Sequence, residues 1–166
     1  MRRAALLVAV AVAGCGRPPR LTGPALPDQV LQLVQRAKGF QVVRLGNPVG
    51  ADAVGRPVFA GRELLGVGRA DARWRTRFDS LLAIPAWHPG STRGATPSPD
   101  SACFGVRYAA VGHAVDVVVD MERGTLELGE DGVLLATRAF DGAAGPLRQL
   151  ARQAFPSDSA LTRMPR

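Results

Sequence analysis

Phe104-Gly105-Val106-Arg107-Tyr108-Ala109-Ala110-Val111-Gly112-His113-Ala114-Val115-Asp116-Val117-Val118-Val119-Asp120-Met121 is the stretch whose reading decides the fold. Phe104, Val106, Tyr108 and Ala110 fall on every second residue, as do Val115, Val117, Val119 and Met121 after the turn at Gly112-His113. A period of two places those side chains on one side of a strand, so the stretch reads as a β-hairpin. Leu126 and Leu128 continue the alternation, Glu130-Asp131-Gly132 is a tight-turn signal, and Val133 to Phe140 returns as a fourth strand. A helix starting near Gly145-Pro146 turns Leu147, Leu150, Ala151 and Ala154 inward and stops at Phe155-Pro156. Residues 157–166 are expected to fray.

Upstream the pattern changes to a period of 3.6. Asp71 opens a helix with Trp74, Phe78, Leu81 and Leu82 on one side, ending before Pro85. Before it, Val58 to Gly66 reads as an extended region broken at Gly61, and Phe40 to Leu45 as a strand. Asp28 can cap a first helix through Val30, Leu31, Val34 and Ala37, with Gly39 as its stop. The polar stretch from Pro89 to Ser101 is a loop. Regular alternation of strand and helix is missing, so a parallel sheet is excluded. The expected fold is α+β: a mainly antiparallel sheet, including the C-terminal four-strand meander, with helices packed on one face. Its composition agrees: among 166 residues 46% are hydrophobic and 21% charged, with 19 Gly and 13 Pro. Such values exclude disorder, collagen, coiled coils and long helical bundles, and the length favours one domain, over residues 27–156.

The N-terminus carries a different message. Arg2 and Arg3 precede an apolar run from Ala4 to Gly14, too short to span a bilayer and suited to the core of an export signal over residues 1–14. Val12-Ala13-Gly14-Cys15 resembles the bacterial lipobox, which implies cleavage before Cys15 and attachment of a diacylglycerol to its sulfur. Residues 15–26, with Pro18, Pro19 and Pro24, read as a tether. Nine of them in polyproline II would lift the domain roughly 28 Å from the membrane. Gly16 stands where enteric lipoproteins kept in the inner membrane have Asp, so the expected location is lipid-anchored at the cell membrane, on the periplasmic face of the outer membrane where the cell has one. The net charge of +7 comes almost wholly from arginine, Lys38 being the sole lysine, and coding bias accounts for that without a phosphate ligand. Nucleic acid is not an expected partner of an exported chain; anionic lipid or an acidic envelope polymer or protein is.

Chemistry is sparse. No paired-cysteine, His-Glu-x-x-His, Walker, nucleophile-elbow or calcium-loop motif occurs, so no cofactor and no metal are expected. Gly66-Val67-Gly68-Arg69-Ala70-Asp71 has Asp where a dinucleotide loop needs its third glycine, and reads as a turn. His88 and His113 read as surface residues, and Asp116 and Asp120 as the wet face of a half-exposed sheet. Arg69, Arg73 and Arg77, spaced by four around the start of the second helix, form a candidate anion-binding stripe.

The blocks Phe59 to Gly66, Cys103-Phe104-Gly105-Val106-Arg107-Tyr108, Val118-Val119-Asp120-Met121-Glu122-Arg123 and Leu147 to Pro156 together resemble an uncharacterised family of bacterial secreted or lipid-anchored proteins. Cys103, Phe104, Arg107 and Glu122 match its middle blocks. Tyr108 replaces a histidine there, and Asp120 and Arg123 replace two cysteines. Any metal or disulfide that those cysteines serve in the family is therefore lost here, because Cys103 is the sole cysteine besides Cys15. Cys103 reads as a small buried hydrophobe. The expected function is that of a lipid-anchored envelope accessory or binding protein without catalysis. The alternative is an envelope enzyme or thiol-dependent protein with a site around Cys103, Arg107 and Glu122.

Overall fold

A computed structural model describes residues 28–49, 55, 57–83, 88–89, 102–140 and 143–163. The export signal, Cys15, the tether and residues 90–101 of the loop lie outside them. The elements, in chain order, are α1 (Asp28–Arg36), β1 (Gly39–Pro48), β2 (Val58–Phe59), β3 (Arg62–Val67), α2 (Ala72–Leu82), β4 (His88–Pro89), β5 (Cys103–Ala110), β6 (His113–Asp120), β7 (Thr125–Glu130), β8 (Val133–Ala139), α3 (Ala144–Ala154) and α4 (Ser159–Thr162). The strands form one antiparallel sheet in the order β2-β3-β1-β5-β6-β7-β8-β4. The fold is α+β, as the alternation and helical periods imply, and β5 to β8 are the meander.

The hairpin register explains the two faces of the sheet. Phe104 sits opposite Val119, Val106 opposite Val117 and Tyr108 opposite Val115, all on the side where the helices pack. Val30 and Val34 of α1, Trp74, Phe78 and Leu82 of α2, and Leu147, Leu150 and Ala154 of α3 cover them. Asp71 begins α2 by accepting the Trp74 amide at 2.7 Å, which fills one donor that the first turn leaves unpaired. Phe40, Trp74, Phe78 and Phe104 then run as a ladder of ring contacts from β1 through α2 to β5. The indole Nε1 donates to the Leu150 carbonyl at 2.9 Å and ties α2 to α3.

The opposite face is covered as well. The extended region broken at Gly61 is a complete hairpin, β2 and β3, whose turn holds Ala60 at φ 47° and Gly61 at φ 74°. Phe59 from this hairpin packs with Val43, Leu45, Cys103 and Val118 as a second, smaller core. Gly105 makes room for it: a Cβ there would lie 2.6 Å from Phe59 Cε1, closer than real carbons approach. The chain also does not fray at Ser157. Asp158 caps α4 by accepting the Leu161 amide at 3.0 Å, Leu161 is fully buried, and Arg44 Nε of β1 pairs with Asp158 Oδ2 at 2.7 Å. Leu161 and the Arg44–Asp158 ion pair tie residues 157–163 to the domain.

Candidate functional site

The covered second face changes the meaning of its polar residues. Asp116 and Asp120, expected on a wet surface, are buried at 4% and 2% exposure. Each has an arginine. Arg107, directly opposite Asp116 in the register, donates Nε and Nη2 to its two oxygens, both at 2.7 Å, and lies over the Phe59 ring. Hydrogen bonding to Asp116 raises the Arg107 pKa, burial opposing it. Arg62, carried in by the β2–β3 hairpin, donates Nη2 to Asp120 Oδ2 at 3.2 Å, with both side chains almost wholly enclosed. Asp120 Oδ1 accepts the backbone amides of Glu122 and Arg123, at 3.2 and 3.0 Å, and so fixes the β6–β7 turn. Arg62 Nη1 and the Oγ1 of Thr125, the residue opposite Asp120 on β7, are buried without a hydrogen-bond partner among the described residues.

The thiol constellation is not assembled. Cys103 is fully buried, and the cations that bear on it are Arg62 and Arg44, whereas Arg107 is turned to Asp116 and Glu122 is exposed in the turn. Burial, the dominant influence, pushes the Cys103 thiol up to about 12 against the pull of Arg62. A thiol at that pKa is protonated at neutral pH and is no nucleophile. Cys103 is thus expected to resist an aromatic disulfide reagent at pH 8 in the native protein and to react at least about a hundredfold faster in denaturant. Equal rates would place the sulfur at the surface. Because the folded pKa lies above that of the unfolded thiol, stability held at neutral pH is lost as pH climbs from the unfolded value toward 12. Tyr108, buried with its hydroxyl on Asp79 Oδ1 at 2.5 Å, is raised too, by burial first and that bond second, and adds to the same alkaline loss.

His113 lies where the β5–β6 and β7–β8 turns meet. Its Nδ1 is 3.2 Å from Asp131 Oδ2 and 3.5 Å from Glu130 Oε1. The three residues bring potential ligand atoms within 4.8 Å of one another, but Asp131 Oδ1 already accepts the Ala114 amide at 2.9 Å. That amide is the main influence holding the Asp131 carboxyl below its usual range; burial opposes it, and the His113 ring adds a smaller lowering. The group staples two turns together.

The helical side carries the arginine stripe. Arg69 precedes the α2 cap, and Arg73 and Arg77 follow on the helix; all three are exposed and have no acidic partner among the described residues. The neighbouring Arg75 differs, reaching back to the Val34 and Ala37 carbonyls at 3.0 and 2.9 Å and so closing the end of α1. Between α2 and α3 runs a groove with two hollows. Arg69, Asp71 and Gln153 are among the residues that line the larger, of about 430 Å³, and Arg77 and Gln149 among those that line the smaller, of about 260 Å³. Two of the three arginines therefore line hollows that have a glutamine from α3 in their lining; the larger also has Asp71, one of whose oxygens accepts the Trp74 amide. No family model, curated protein or solved structure matches this chain.

Proposed function

We propose that the chain is an exported, lipid-anchored protein of the cell envelope whose domain binds an anionic partner along the α2–α3 groove. The observation that carries the binding reading is the set of Arg69, Arg73 and Arg77: three exposed guanidinium groups with no ion-pair partner among the described residues, two of them lining hollows between α2 and α3. Arginine in the first turn of a helix opposes the macrodipole, a small cost that a binding role offsets. Guanidinium forks match the oxygens of phosphate or carboxylate groups, and amides such as Gln149 and Gln153 donate beside them. The anchoring half of the proposal stands on the lipobox-like Val12-Ala13-Gly14-Cys15 and the tether after it. Against the enzyme reading stands the sealed, protonated Cys103.

Two measurements test these halves separately. Changing Cys15 to Ser is expected to move the protein from the membrane fraction to the soluble fraction, while the native protein stays membrane-bound through a high-salt wash. A salt-extractable native protein contradicts the anchor. With the Cys15→Ser chain, sedimentation with anionic phosphatidylglycerol vesicles or polyglutamate is expected to weaken about tenfold or more when Arg69, Arg73 and Arg77 all become Gln, with an unchanged melting temperature. Raised salt is expected to do the same. Equal binding by both forms, or none by either, rejects the groove.

A further inference from the structure

The helices and the meander present opposite charge to solvent. Arg36 and Lys38 at the end of α1, Arg69, Arg73 and Arg77 before and along α2, and Arg163 at the end of α4 are all exposed, with no ion-pair partner among the described residues. Among the described side chains exposed on this layer, Asp71 is the sole carboxylate, and it caps α2 by accepting the Trp74 amide. Asp79 and Asp158 are half-buried, the first held by Arg75 and Tyr108 and the second by Arg44. The meander is the reverse. It exposes the carboxylates Glu122 and Asp131, while Arg107 and Arg123 are turned to Asp116 and Asp120. The internal segments outside the described residues do not tip this balance: Asp52 and Arg56 precede β2, Arg93 and Asp100 precede β5, and each pair is neutral in sum.

The exposed cations spread beyond the α2–α3 groove. α2 is joined to α3 through the Trp74 indole and to α1 through Arg75, so the three helices make one layer, and Arg36 and Lys38 belong to the helix that takes no part in lining the groove. Charge spread over a broad layer, with the opposite sign elsewhere on the molecule, orients a domain against a broad anionic surface. A single polymer chain or a small anion would need the groove alone. The tether also runs into this layer, because α1 begins at Asp28. At about 3.1 Å per residue, residues 15–27 reach at most about 40 Å.

We propose that the partner of the helical layer is the anionic headgroup surface of the leaflet that holds the anchor, on which the domain lies with α1, α2 and α3 toward the lipid and the meander away from it. This rests on the anionic-partner reading above and names the source of the anion. The Cys15→Ser chain is sedimented with vesicles of phosphatidylglycerol and phosphatidylcholine in equal parts, with phosphatidylcholine vesicles, and with polyglutamate. Arg36→Gln/Lys38→Gln is expected to weaken binding to the anionic vesicles about tenfold or more, at near fivefold for each cation taken from a charged surface, with the melting temperature unchanged. The N-terminal segment is common to both chains and cancels in the ratio. With a gadolinium-chelate lipid in the same vesicles, the amide signals of Gln32, Gln35, Thr76 and Gln153 are expected to broaden, and those of Glu122 and Asp131 to keep their width. Unchanged vesicle binding by Arg36→Gln/Lys38→Gln overturns the proposal; if the triple change at Arg69, Arg73 and Arg77 still weakens it, the groove reading stands without this one. Binding of polyglutamate but not of vesicles makes a soluble polymer the partner and overturns it too. So does broadening at Glu122 and Asp131, or equal binding to the two kinds of vesicle, since the apolar N-terminal run would then make the contact.

Discussion

Asp120→Ala is expected to remove about 3 to 5 kcal/mol of stability, because it leaves the Arg62 guanidinium buried and unpaired. Arg62 is 3% and Asp120 2% exposed, so solvent is not at hand to replace the lost carboxylate. The β6–β7 turn loses its two amide bonds to Asp120 Oδ1 in the same step. Urea unfolding followed by circular dichroism measures the loss, and the double variant Arg62→Met/Asp120→Leu separates its causes. Removing both charges takes away the uncompensated ion, so the double variant should recover much of the stability lost by the single one. A single-variant loss below about 1 kcal/mol, the size seen for exposed ion pairs, would mean that the hairpin lifts away and lets water reach Arg62.

Trp74→Ala is expected to be comparably damaging, about 3 to 5 kcal/mol, by opening a cavity under α2. Trp74 is 3% exposed, stacks between Phe40 and Phe78, and donates to the Leu150 carbonyl. Trp74→Phe keeps most of the ring area and removes the donor. Its expected loss, about 1 to 3 kcal/mol, is that of a buried carbonyl left unpaired. Thermal unfolding of both variants checks the order. If Phe proves as damaging as Ala, the hydrogen bond rather than the packing holds the two helices.

Strand alternation and helix caps were legible because each is a local pattern set by the backbone. Phe104 to Met121 and Glu130-Asp131-Gly132 turn where their sequence says they should, with Asp131 and Gly132 both at positive φ. The second core was not legible from β6 alternation alone, although the residues hold a signal for it. Val117-Val118-Val119 is apolar on both sides of the strand, and Val42-Val43 with Leu45 repeats this on β1. A strand apolar on both faces is covered on both. Under such cover an aspartate needs a partner, and Arg62 and Arg107 are its partners. Arg62 is far from Asp120 in sequence and arrives only through the curl of the β2–β3 hairpin, which no local pattern encodes. Asp158 ahead of Leu161 was a readable cap, hidden because a turn of helix is too short to show a period. Cys103 and Arg107 do share a face, as their spacing implies, but each is claimed by a different neighbour.

The place of β1 in the sheet has a consequence for the order of events when the chain folds. β1 lies between β3 and β5, and its longer ladder, Gly39 to Leu45, is with β5, on the far side of the residues 49–102. The meander β5 to β8 joins neighbours through short turns and closes few residues per contact, so it is expected to form early, with β1 waiting for a distant strand and bearing the entropy of that large loop. As the chain emerges N-terminus first, β1 is thus without its main partner until β5 follows, and its apolar Val42, Val43 and Leu45 are open to other chains meanwhile. A chain truncated before β5 would retain the strand most in need of pairing and lose the means of pairing it, so crowding and chaperone demand should be set by the first half of this protein and relieved by the second.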